Sequence, residues 1–108
     1  MRFLRILLII SCLGFSLPSG DIIYVHVRGL GSKNLNEFQQ KADTWNGVHY
    51  LGYCHNLSVA KFSIDRKAVK SDSIFSNLVS GAGYDCIIKS SLTEELFQQE
   101  CNQFEPRN

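Results

Sequence analysis

Between Ile22 and Lys89 the spacing of apolar residues switches repeatedly between the two-residue period of a strand and the longer period of a helix, and this alternation constrains the fold more than any single residue does. Ile22 to Val27 is rich in β-branched and aromatic types, with Ile23, Val25 and Val27 on one side and Tyr24, His26 and Arg28 on the other, which predicts a half-buried first strand. Gly29-Leu30-Gly31-Ser32 breaks it. Leu35, Phe38, Ala42 and Trp45 then recur at helical spacing, behind an Asn34 and a Glu37 placed as in a capping box, and Asn46-Gly47 closes that helix. Val48–Cys54 and Leu57–Ile64 read as two strands joined through His55-Asn56 into a hairpin. Asp65 to Lys70 is a charged connection. Ser71 or Asp72 caps a second helix that turns Ile74, Phe75, Leu78 and Val79 inward and stops at Gly81-Ala82-Gly83, and Tyr84 to Lys89 is the fourth strand.

The order β-α-β-β-α-β within about 68 residues predicts an α+β fold, the ferredoxin-like split βαβ sandwich, with an antiparallel sheet of order 4-1-3-2 and both helices on one face. Ser91-Leu92-Thr93-Glu94 repeats the capping-box spacing and opens a further helix with Phe97, Cys101 and Phe104 along one stripe. The expected organisation is thus a domain over 21–90, a C-terminal helix over 91–104 and a frayed end over 105–108.

Ahead of the domain, Arg2 and Arg5 precede an apolar run from Ile6 to Phe15, too short for a stable span and suited to a signal peptide over residues 1–20. A second reading takes Ile9-Ile10-Ser11-Cys12 as a lipoprotein processing box, leaving Cys12 lipidated. Removal of the leader leaves nine basic and ten acidic side chains and no transmembrane segment. That balance gives no electrostatic case for nucleic acid. The expected destination is secreted or periplasmic, where a disulfide forms readily, and Cys54, Cys86 and Cys101 leave one thiol over.

Four short pieces resemble the heavy-metal-associated domain of metallochaperones and metal-pumping ATPases: Val27-Arg28-Gly29-Leu30, Gly47-Val48, Val59-Ala60-Lys61-Phe62-Ser63-Ile64-Asp65 and Ala82-Gly83-Tyr84. The resemblance covers about residues 22–89 and implies the same ferredoxin-like shape. In that family a Cys-x-x-Cys pair after the first strand gives soft thiolates to a soft ion. Those places fall here on Ser32 and Leu35, so the motif is missing and no metal residue is carried over.

His49, Cys54 and His55 are the remaining candidate ligands for Zn or Cu, although strand alternation sets His49 and Cys54 on opposite faces. For the disulfide, Cys86 stands roughly 13 Å above the end of its strand and the third helix climbs back about as far to Cys101, which favours Cys86–Cys101. Cys86 faces the first two helices, however, which keeps Cys54–Cys101 as the runner-up; three reduced, buried thiols are a further reading. Asn56-Leu57-Ser58 has the N-glycosylation spacing. No serine elbow, phosphate loop or carboxylate pair is present, so no enzymatic activity and no cofactor are expected. The expected function is binding of an unidentified protein partner, through the edge of the second strand or the face near Gly29 to Lys33 and Gly83-Tyr84. The alternative is metal binding by Cys54 with a histidine, followed by thiol-dependent catalysis. The edge Val48–Cys54 also offers a place for a dimer to form by strand addition.

Overall fold

The computed structural model describes residues 20–108, so the leader read over residues 1–20 and Cys12 lie outside the described residues, Gly20 excepted. Five strands alternate with three helices in the described residues: β1 (Asp21–Arg28), α1 (Leu35–Ala42), β2 (Val48–Cys54), β3 (Val59–Ile64), α2 (Asp72–Gly81), β4 (Asp85–Ile88), α3 (Glu94–Glu100) and β5 (Phe104–Pro106). The fold is α+β, with one antiparallel sheet in the order β4-β1-β3-β2-β5.

One face of the sheet carries α1 and α2. Val25, Val27, Phe62 and Ile64 from the strands meet Phe38 of α1 and Phe75 and Val79 of α2, all essentially inaccessible to water. Phe38 is the hub, edge-on to Tyr50, Phe62 and Tyr84 with ring centroids 5.9, 6.1 and 5.2 Å away. That geometry sets the positive rim of one ring against the negative face of another. Burying each such side chain contributes about 2 kcal/mol.

Helix ends depart from the expected capping boxes. Asn34 does not cap α1; its Oδ1 accepts from the Gly31 N–H at 2.8 Å and its Nδ2 donates to the Gly29 carbonyl at 3.0 Å, tying the loop down. Glu37 turns to Lys41, one helical turn on, at 3.6 Å. The third helix begins at Glu94 with Thr93 as its cap, its Oγ1 accepting from the Leu96 N–H at 3.2 Å, and not at Ser91. Ser71 caps α2 as its position predicts.

The C-terminal expectations need the largest correction. α3 stops at Glu100, and Phe104 leaves the helical stripe to enter β5, which pairs with β2 through Gly52↔Pro106, Tyr53↔Glu105 and Cys54↔Phe104. Residues 105–108 are therefore no frayed end. The Arg107 N–H donates to the Leu51 carbonyl at 3.1 Å, its guanidinium grips Asp43 through two bonds of 2.8 and 3.0 Å, and the Asn108 N–H reaches Gln39. The same strand occupies part of the β2 edge expected to be open for a dimer, along Gly52–Cys54.

Gly52 makes this addition feasible. The register of β2 against β3 slips between Tyr50 and Gly52, a bulge. A side chain at Gly52 would stand 2.7 Å from the Glu105 carbonyl oxygen and collide with the Phe104 ring. The extra residue also resets the alternation, so that Cys54 returns to the face that His49 occupies, against the expected opposition of the two.

Candidate functional site

The second face of the sheet carries a smaller cluster of its own, separate from the main core. α3 crosses it, and Phe97, its one buried residue, stacks on Tyr24 with ring centroids 4.7 Å apart and joins Cys54 and Val59 in a small apolar cluster. Cys54 and Cys101 are joined there in a disulfide with Cα atoms 6.0 Å apart, closing a 47-residue separation. Cys86–Cys101, the pairing that chain heights favoured, is not formed. Cys86 packs toward the α1–α2 side, its Sγ 3.6 Å from Ser76 Oγ, with the whole sheet between it and α3. Facing decides the pairing, and height does not.

Around the cluster runs a polar ring. The Tyr24 hydroxyl donates to Glu94, Lys61 Nζ lies 3.1 Å from the same carboxylate and 5.5 Å from the Phe97 ring centre, and Gln98 Nε2 donates to Glu94 at 2.7 Å. The Tyr24 bond first, then Gln98 and Lys61, hold the Glu94 carboxyl at about 2, below its ordinary 4.5. Burial, reinforced by Glu94, pushes the Tyr24 phenol up. This phenol therefore stays protonated and acts as a hydrogen-bond donor to Glu94.

Asn56 secures the far end of α3. Its Nδ2 donates to the Glu100 carbonyl at 2.9 Å, while its Oδ1 accepts from the N–H groups of Asn102 and Gln103 at 3.0 and 3.2 Å. One side chain thus satisfies the last carbonyl of α3 and the turn into β5. The amide that the glycosylation spacing singles out is engaged in the fold.

Nor do the candidate ligands converge. Cys54 is fully buried and its sulfur is bonded to Cys101, which withdraws the thiolate a metal would need. His55 pairs with Glu105 at 2.7 Å and stands edge-on to Tyr53. His49, opposite Ser63, is exposed at the other end of β2, roughly 16 Å along the strand from Cys54. His26 is turned to the hairpin, its Nδ1 2.8 Å from the carbonyl oxygen of Ser58, a residue held in the left-handed region at φ 57°. Among the described residues no three His, Cys, Asp or Glu side chains gather into a possible metal site, and no helix is long and apolar enough to cross a membrane.

At the C-terminal end of β1, beside the hairpin, the loop singled out by the resemblance is ordered and bare. Ser32 is exposed, Leu35 is buried at 6 % exposure as the first residue of α1, and the Tyr53 hydroxyl donates to the Leu30 carbonyl at 3.2 Å. Gly29 and Gly83 flank it with φ of 84° and 94°, and a side chain at either would meet only open space. No family model, curated protein or solved structure matches this chain.

Sequence reasoning missed β5 and the Tyr24–Glu94–Lys61 ring. A glycine inside a strand was the available sign of the bulge that admits β5. The ring had no sign, because its members are separated by 70 and 33 positions and meet only once α3 has docked.

Proposed function

We propose that this chain is an exported, non-catalytic domain on a ferredoxin-like scaffold, with the strand order 4-1-3-2 extended by β5, that acts through protein contact. It resembles a heavy-metal-associated domain without its metal motif. The observation that carries the reading is the loop from Gly29 to Leu35. Where the resembled family presents two thiolates, this loop has an exposed Ser32 and a buried Leu35, and Asn34 and Tyr53 pin it into one shape. A loop fixed in shape, with Arg28 and Lys33 exposed beside it and no thiol, suits recognition of a surface better than chemistry on a small molecule. The Cys54–Cys101 disulfide fits an extracellular or otherwise oxidising compartment, in line with a secreted or periplasmic home.

Affinity capture from the exported fraction of the source cells tests this. The wild-type chain and a His49→Ala control should retain one stoichiometric protein, and Arg28→Glu with Lys33→Glu should lose it. Failure to retain any stoichiometric partner, together with one-to-one Zn or Cu binding in native mass spectra that disappears in Cys54→Ser, would establish the metal-binding alternative instead.

A further inference from the structure

The two edges of the sheet are treated differently. At one, the three-residue β5 covers Gly52–Cys54 of β2; at the other, among the described residues, nothing pairs with the outer side of β4. The Lys89 N–H donates to the Tyr24 carbonyl at 2.8 Å, so the backbone groups of Lys89, Ile87 and Asp85 turn toward β1, and by alternation those of Cys86 and Ile88 turn outward. These are two donors and two acceptors on one short edge.

Side chains on the same strand fit a particular partner. Ile87 lies opposite His26, on the face away from α1 and α2, and is 52 % exposed, more than any other large apolar side chain described. Asp85 and Lys89 stand two residues to either side of it on that face, both exposed, and neither enters an ion pair among the described residues. Edge strands that must stay single are commonly defended by charge, and like charges would repel a second copy. Here the charges are opposite in sign and equidistant from Ile87.

From this we infer that β4 is a homodimer edge, pairing antiparallel with β4 of a second copy about a two-fold axis at Ile87. In that register Cys86 faces the partner's Ile88 and Ile88 faces the partner's Cys86, each a hydrogen-bonded pair, so every outward group on the edge is used. Ile87 meets the partner's Ile87 at the close, non-hydrogen-bonded position, about 4.5 Å between Cα atoms. Asp85 falls opposite the partner's Lys89 on both sides of the axis, the cross-strand arrangement in which opposite charges attract. The two sheets become one of ten strands, with the four core helices on a single face. The interface is small, so the dimer is one of modest affinity. It stands on the edge geometry alone and is independent of the partner proposed above.

Sedimentation velocity of the purified protein, from micromolar to near-millimolar concentration, tests the pairing. The wild type should pass from monomer to dimer. Asp85→Lys and Lys89→Asp, each placing like charges across the axis, should weaken the dimer by about tenfold or more, and the double swap should restore it, with far-UV circular dichroism confirming the fold of each variant. A monomer throughout the range overturns the inference. So does a dimer indifferent to the charge swaps, or one that runs as a covalent pair and vanishes in Cys86→Ser.

Discussion

The two faces of the sheet are closed by different means. On the α1–α2 face, apolar side chains from four strands and two helices interlock around Phe38 and Phe62, and apolar burial is the main hold on the layer. On the α3 face, a seven-residue helix contributes one buried side chain, and the remainder of the attachment is a disulfide, the Asn56 staple, the Glu94 ring and a three-residue strand. A helix so short has little stability of its own. The first face is therefore a condition of folding, and the second is a strap whose hold depends on redox state and protonation.

The largest effect expected from this difference is on the first face. Phe38→Ala should cost about 3–5 kcal/mol, a large part of what a domain of this size possesses, and should move the whole denaturation curve. Removing the cross-link in Cys101→Ala, or by a reductant, should cost less, roughly 2–4 kcal/mol for a loop of 47 residues. Its signature is local. Hydrogen exchange should speed up at Asn102, Gln103 and the β2–β5 pairs while the amides of β1 and β3 stay protected. If reduction instead releases both faces together, the strap is as much a part of the core as Phe38, and the contrast between the faces fails.

That contrast also explains what could be read in the sequence. β1 to β4 and the first two helices rest on local periodicity, and Ile23, Val25 and Val27 bury on the helix-covered side while Tyr24 faces α3, as alternation requires. Past Ser90 the local signals are weak or double. Phe97, Cys101 and Phe104 fit one helical stripe, yet the chain breaks the helix at Cys101, because the disulfide and Asn56 hold that turn and the β2 edge offers Phe104 and Glu105 backbone partners. The cysteine pairing failed for the same reason. Cys86 had the right height, and only the face of the sheet, with the alternation reset by the bulge beside Gly52, gives the partner to Cys54.

The smallest expected effect is the most specific to the strap. A carboxyl held at about 2 in the folded chain takes up a proton less readily than its unfolded counterpart near 4.5. The stabilisation from Glu94 is therefore complete above about 4.5 and is lost as pH falls toward 2. Its size is limited because the side chain is about half exposed to solvent, at 52 %. Glu94→Gln keeps the shape and removes the charge that Lys61 and Tyr24 meet. At neutral pH this variant should melt below the wild type and exchange faster around α3, and the gap between them should close as the pH is lowered through that window. Thermal melts of both proteins across the acid range make the comparison. A gap that persists unchanged at the acid end would mean that packing of Phe97 on Tyr24, and not the Glu94 charge, holds α3 to the sheet.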